Sequence, residues 1–472
     1  MKTIKNIYII LMLIALFSVS SCKKWLEVKP KTEVESTVAF RNEQGYKDAL
    51  TGVYIQLTAN GLYGQELTFG TLDILAKQYT NISGSPYASF DGYNYNYAQL
   101  ELKTRLDNFW TGLYSAIANT NSLITNIDVA DPSIFAGSTR NIIRGEAYGL
   151  RAFLHFDLLR LYAPAPSSAG GAAAAAIPYV KTIDPKATPT SSVTEVLAQI
   201  QLDLNVAAEA LKGVDPILQG KTSTGYLRDR IYKFNYYAVK ALQARVYLYA
   251  GDQTNALICA REVINSGRYP AAQSANIING NDRLFQDEII FALNINTLAA
   301  NASNYFSRTA TSLLGKSAVN YSSEMDNSST DYRLLYLTGT ADVTSILFPT
   351  KLIPNANAPA VFGNKMPVLR ASEMYYIAAE CLKTSNPQAA VDYLNYVRTN
   401  RGQTTLIAAS STPAQIQNEI FKEYRREFIC EGQLFYYYKR VNSPTIAYTT
   451  VAGNNTLYVF PKPDQEIQYG NR

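Results

Sequence analysis

Four glutamates stand four residues apart near the C-terminus, Glu419, Glu423, Glu427 and Glu431, with Lys422, Arg425 and Arg426 between them. Two carboxyls can cleave a glycosidic bond, but only when they face each other across the sugar at ~5 Å or ~6.5–9.5 Å. Four-residue spacing instead lines carboxylates along one side of a helix, beside the interleaved cations, so an ion-paired helix is expected. The one histidine, His155, sits between Phe153 and Phe156 and suits a helix interface better than a general base. Cys259, Cys381 and Cys430 lie in apolar helical patterns without a CxxC pair or a neighbouring histidine. They are expected as buried small hydrophobes rather than metal ligands. No Gly-rich phosphate loop, nucleophile elbow or metal-ligand spacing is present. Neither a catalytic residue, a metal nor a cofactor is expected.

One residue at the start does carry chemistry. Lys2 and Lys5 precede the apolar run from Ile7 to Phe17, then Val19-Ser20-Ser21-Cys22 leads into KKWLEVKP. The run has the length of a signal-peptide core, short of the ~20 residues of a spanning helix. Small residues before a cysteine resemble the lipobox of bacterial lipoproteins, in which the thiol takes a diacylglycerol. Residues 1–21 are thus expected as a removable leader, Cys22 as the lipidation site and 22–35 as a lipidated tether. Two or more acyl chains hold a protein stably on a membrane.

The formal net charge of +5 falls to +3 when Lys2 and Lys5 leave with the leader. No long basic run exists to make a nucleic-acid stripe. Tyrosine is abundant, 35 residues against 2 tryptophans, so any stacking platform for a sugar must be mainly tyrosine and phenylalanine.

Periodicity places helices along most of the chain. FRNEQGYKDALTGVYIQL puts Tyr46, Leu50, Val53, Tyr54 and Leu57 on one stripe. Further helices are expected over Arg105–Ile127, Arg140–Tyr162 and from an N-cap at Ser191 or Ser192, with Glu195 in the first turn, to about Leu211. FNYYAVKALQARVYLYAGD and QTNALICAREVINSGRYP form a helical pair around Gly251-Asp252. LRASEMYYIAAECLKTSNPQAAVDYLNYVRTNRG repeats the design around Asn386-Pro387. Such pairs, with Ala241, Ala244, Ala250 and Ala256 at close crossings, resemble tetratricopeptide units, although the copies lie roughly 130 residues apart. A short strand is expected over Glu288–Ile295, one last helix over Pro413–Arg440, and extended chain over YVFPKPDQEI. The fold class is mostly α: a tetratricopeptide-like helical-repeat core with long loop-rich insertions.

In this order, FRNEQGYKDALTGVY, GEAYGLRAFLHFDLLRLYAPAP, SSVTEVLAQIQLDLNVAAEAL, YAVKALQARVYLYAGDQTNALICAREVINSGRY, DEIIFALN and FKEYRREFICEGQLFYYYKR resemble the SusD/RagB nutrient-binding lipoproteins of Bacteroidetes-type outer membranes. The chain departs at Gln468-Tyr469-Gly470, where the family usually shows Asn-Pro, and at Tyr436–Tyr438, where relatives more often show Asp-Leu. The resemblance implies a single SusD-like domain over 36–472, with irregular insertions at about 60–104 and 268–367. It implies a non-catalytic protein, lipid-anchored at the outer membrane and facing outward. There it would capture an oligosaccharide, or in some branches a peptide, for a SusC-like TonB-dependent transporter. The alternative is a peptide-binding or scaffold partner of the transporter without glycan affinity.

Family members commonly draw ligand contacts from two regions, here about Asp73–Tyr97 and Asn294–Tyr321. Flat rings and amides in those regions make Tyr79, Asn81, Tyr87, Asp91, Tyr93, Tyr95, Asn304, Tyr305 and Phe306 the candidate contacts, with Phe90, Asn94, Asn96 and Tyr97 beside them. Alternation in YNYNY would put Tyr93, Tyr95 and Tyr97 on one face of an extended strand. Replacing Tyr87, Tyr93 and Tyr95 by alanine would then weaken binding without unfolding the core. The competing expectation is that these tyrosines pack the loop onto the helices or against the transporter.

Overall fold

The computed structural model describes residues 39–470 apart from 90–93, 185, 221–224 and 343–344. Cys22, Asp91 and Tyr93 therefore lie outside the described residues. Helix α1 (Glu43–Leu57) starts at Asn42, whose side chain accepts the Gly45 N–H, and it buries Tyr46, Leu50, Val53, Tyr54 and Leu57, the predicted stripe. A short α2 (Thr71–Leu75) follows within the irregular stretch. The long helices α3 (Leu100–Val129) and α4 (Thr139–Tyr162) come next. A small antiparallel pair, β1 (Ala175–Pro178) with β2 (Thr190–Ser192), leads into α5 (Val193–Leu211). There Ser192 and Glu195 close a reciprocal capping box, satisfying two otherwise orphan N–H groups.

The two helical pairs are α6 (Tyr236–Ala250) with α7 (Gln253–Asn265), and α9 (Ala371–Leu382) with α10 (Pro387–Asn400). Gly251, at φ 86°, makes the left-handed turn of the first pair, a conformation that costs glycine nothing. Ala241, Ala244 and Ala256 are buried at the crossings, whereas Ala250, at the end of α6, is exposed. Between the pairs lie α8 (Leu298–Ser303) and the strands β3 (Ile289–Asn294), β4 (Lys316–Ser317), β5 (Thr338–Thr340), β6 (Ile346–Pro349) and β7 (Lys365–Arg370). Strand β3 pairs antiparallel with β7, Ala292 opposite Pro367, and β6 lies between β4 and β5. That insertion leaves the stack whole: α9 packs on α7, continuing α3, α4, α5 and α6 side by side. Stacked pairs bury the apolar faces that no single pair could cover.

The expected last helix is two, α11 (Pro413–Glu427) and α12 (Gln433–Arg440). The chain breaks at Cys430 (φ 68°) and Gly432 (φ 70°), where a Cβ on Gly432 would meet the Leu67 carbonyl oxygen at 2.3 Å. YVFPKPDQEI (458–467), expected as extended chain, is non-helical over 459–463 only: it begins on the last residue of a turn at Asn455–Tyr458 and runs into a short helix over Asp464–Tyr469. Among the described residues no helix is long and apolar enough to cross a membrane.

Charged side chains inside this stack need partners, because an unpaired buried charge is costly. The helix α4 carries several of them. Its Glu146 pairs with Arg230 and accepts the Tyr54 hydroxyl at 2.7 Å, and Arg151 forks onto Asp203 at 2.7 and 2.8 Å. His155 is fully buried, as a helix-interface histidine would be. The Val180 N–H donates to its Nε2 at 3.0 Å, so Nδ1 carries the proton donated to the Arg151 carbonyl at 2.9 Å. Burial lowers its pKa to about 3.

Candidate functional site

The two segments singled out for ligand contact meet in space. Gln65 Nε2 lies 2.8 Å from the Tyr87 hydroxyl and 3.2 Å from that of Tyr305. Thr80 and Asn81 donate their N–H groups to the Gly315 carbonyl at 2.9 and 2.8 Å. The Asn81 side chain donates to the Leu313 carbonyl at 3.1 Å, and Asn301 donates to the Asn60 side chain at 2.9 Å. Residues more than two hundred positions apart thus form one joint.

Most of the predicted contacts hold this joint from within. Tyr79, Tyr87 and Phe306 are essentially fully buried, and Tyr95 and Tyr305 are 9% exposed. Phe306 packs its ring 5.7 Å from both Phe69 and Tyr79, and Tyr79 donates its hydroxyl to Asp73 at 3.1 Å. Tyr95 is not in an extended strand. Its φ is 59° and its hydroxyl donates to the Leu75 carbonyl at 2.9 Å. Tyr97 turns inward too, its ring 5.3 Å from Phe460. Aromatic faces buried this way hold the loop onto the helices, the competing expectation for these residues. Asn81 is half-buried, and Asn304, at the end of α8, is exposed beside the inward-facing Tyr305 and Phe306.

What faces solvent at the joint is amide and guanidinium. Asn60, Asn94, Asn96, Asn294, Asn296 and Asn304 are exposed. Arg105, with a quarter of its side chain exposed, pairs with Glu66 and lies 5.0 Å over the Tyr87 ring. An open groove of about 550 Å³ borders the rim, lined by Tyr54, Ile55, Lys233, Asn294, Asn296 and Thr297. Its size is within the range of small-ligand clefts. The Lys233 ammonium lies 4.9 Å from the ring centroids of Tyr54 and Tyr226. Such a surface can hydrogen-bond a polyhydroxylated ligand in both directions, since each amide offers a donor and an acceptor. Gln65, Arg105, Lys233, Asn60, Asn294 and Asn296 escape a search for aromatic faces, whereas Asn94, Asn96 and Asn304 are among the residues it names. Of those that escape it only Asn294 and Asn296 fall within the two segments, and their signal is polarity at the end of β3 and in the turn after it.

The glutamate row is not a catalytic pair. Glu423 accepts from Arg333, Arg398 and Arg426 at 2.7, 3.1 and 2.8 Å, and Glu427 accepts from Arg333, Arg370 and Arg401. Burial alone would raise the Glu423 carboxyl, but Arg333, Arg426 and Arg398 bring it down to about 2. A glycosidase acid needs the opposite shift. The expected ion-paired helix is present, but several of its cations come from distant segments rather than from α11 itself. Cys259, Cys381 and Cys430 are buried and free. Among the described residues no group of three His, Cys, Asp or Glu side chains is placed to hold a metal ion.

Comparison with known proteins agrees with this architecture. A family described as starch-binding and associating with the outer membrane matches residues 24–248, and the SusD family matches residues 354–472. SusD-like protein P38 of Formosa agariphila is 26% identical over 290 residues, which cover 61% of this chain and 51% of that protein. The chain spans about half the length, or less, of the curated relatives it matches. A SusD superfamily protein from Bacteroides thetaiotaomicron superposes with a TM-score of 0.72 at 22% identity, covering 91% of this chain and 98% of that one. A SusD-like carbohydrate binding protein from Bacteroides vulgatus gives 0.72 at 19% identity, covering 91% and 96%. At these identities the structural likeness establishes the fold. The family matches at both ends of the chain, which between them span most of the helical stack, make this protein a member of the SusD/RagB family.

Proposed function

We propose that this chain is a non-catalytic outer-membrane lipoprotein that captures an oligosaccharide and delivers it to a SusC-like TonB-dependent transporter. In this reading residues 1–21 are removed, the Cys22 lipid holds the protein to the membrane, and 22–35 form the leash of a single domain over 36–472 facing the exterior. The observation that carries the glycan half is the amide-rich rim beside the open groove, at the joint of the two segments. Amides match sugar hydroxyls, while the glutamate row is committed to arginines and supplies no general acid. Support for the transporter half comes from the family and from the lipobox.

A second reading, a peptide-binding or scaffold partner of the transporter, is favoured by the burial of Tyr79, Tyr87 and Tyr95, which removes a stacking platform from the described part of the loop. One experiment separates the two: binding of the unlipidated chain (residues 23–472) to an array of plant glycans, host glycans and oligopeptides. Glycan binding that weakens when Asn294 and Asn296 become alanine supports the first reading. Peptide binding alone, or co-purification with the transporter and silence on the array, overturns it in favour of the second.

A further inference from the structure

The helices α4, α6, α9, α11 and α12 meet around a cavity of about 20 Å³ whose lining includes Arg160, Arg245, Tyr249, Glu373, Tyr436 and Arg440. Four buried polar atoms of that lining have no protein partner among the described residues: Arg160 Nε, Arg245 Nη1 and the hydroxyls of Tyr249 and Tyr436. Buried donors left unmatched cost free energy, and four around one cavity call for a common acceptor.

The neighbouring acceptors are already taken. Both Glu373 oxygens accept from Arg245, at 2.7 and 2.5 Å. Arg160 pairs with Asp157 and reaches Gln433 at 3.3 Å, with its guanidinium 3.6 Å over the Tyr436 ring. Arg440 grips both Glu380 oxygens at 2.8 and 2.7 Å. Burial pushes both phenols well upward, so each keeps its proton as a donor.

Charge points the same way. Arg160, Arg245 and Arg440 are balanced by Asp157, Glu373 and Glu380. The adjacent Lys439 is 1% exposed, and its ammonium donates to the carbonyls of Arg160 and Leu161, at 2.5 and 3.4 Å. Burial first, and then the Arg160 charge, lower Lys439 well below its ordinary pKa, so the joint offers cations no compensating negative charge. A water molecule fits the volume, which needs only about 10–15 Å³. It would accept just two of the four donors, and in donating to the phenol oxygens it would leave their protons unmatched. A monatomic anion has no proton of its own and can accept from all four donors.

We propose that this joint is a buried halide site, occupied by chloride, that ties helix α4 to helix α12. The test uses the purified mature chain in sodium chloride and in sodium gluconate at equal ionic strength, gluconate being too large for the cavity. Binding to the folded state alone raises the melting temperature with ligand concentration, so chloride is expected to raise it by about 2 °C. Crystals soaked in bromide are expected to show an anomalous peak within hydrogen-bond reach of Arg245 Nη1 and the Tyr436 hydroxyl. Tyr436→Phe and Tyr249→Phe, which keep the ring and remove one donor each, should diminish the chloride increment while melting at or above wild type in gluconate. Equal melting temperatures in the two salts, with no bromide peak in the cavity, would overturn the proposal and leave an ordered water there.

Discussion

The rings of Tyr87 and Tyr305 lie 6.0 Å apart, and the hydroxyls of both lie within hydrogen-bond reach of the same Gln65 amide. This contact closes the joint between two segments far apart in the chain, and it sets what each residue there does. Tyr87 is a structural anchor beneath the rim rather than an open stacking surface.

Tyr87→Ala should therefore destabilise the fold, by about 3–5 kcal/mol as for other large aromatic deletions, contrary to the expectation that the core would be unaffected. Asn296→Ala, at an exposed rim position, should leave stability within about 0.5 kcal/mol. It should weaken glycan binding by roughly 3- to 10-fold, the worth of a lost hydrogen bond. Urea denaturation and calorimetric titration of the two variants check the contrast. Equal effects on stability would contradict it.

Glu427 accepts from three arginines inside the core. Glu427→Ala strips a buried charge from its partners and should cost about 3–5 kcal/mol. Glu419→Ala, at the more exposed end of the row, where Lys422 pairs at 2.7 Å, should cost less than about 1 kcal/mol. Chemical denaturation of each, read as the shift in midpoint, checks the ranking.

His155 gives a pH prediction, since burial lowers its pKa from 6.5 to about 3. Below pH 6.5 the unfolded chain binds a proton here that the folded chain refuses until about pH 3. The contribution to stability is thus present above pH 6.5 and lost as the pH falls towards 3, at up to about 1.4 kcal/mol per unit. As the only histidine, it should give a single imidazole NMR signal that does not titrate between pH 8 and pH 4.5. A midpoint near 6.5 would show an exposed ring instead.

Asp73 works in the opposite sense. Burial raises its carboxyl to about 7, against hydrogen bonds from the Cys430 N–H at 2.7 Å, the Tyr79 hydroxyl and the Gly432 N–H. Its contribution is greatest below the unfolded value of 3.8 and declines as the pH rises through 7. Asp73→Ala leaves three donors unmatched at the α11–α12 break and should cost several kcal/mol, about 1–3 per donor. Asp73→Asn should remove the pH slope between 4 and 7 while retaining more of the stability. Denaturation midpoints at pH 5 and pH 8 separate the two variants.

The sequence by itself determined the helices, because what makes them is local. The stripe from Tyr46 to Leu57, the Ser192–Glu195 cap and the glycine turn at Gly251 are each complete within a few turns of chain. It also carried the family and the burial of His155 and the three described cysteines, read from residue type and neighbours. Tertiary structure alone decided three things. It split the last helix at Cys430 and Gly432, where Asp73 and the Leu67 carbonyl approach from more than three hundred and fifty residues away. It gave Glu423 and Glu427 arginines from outside their own helix. And it turned Tyr79, Tyr87, Tyr95 and Tyr97 inward, leaving asparagines at the surface. A tyrosine's type fits a core and a binding face equally well, and only the segment that packs against it chooses between them.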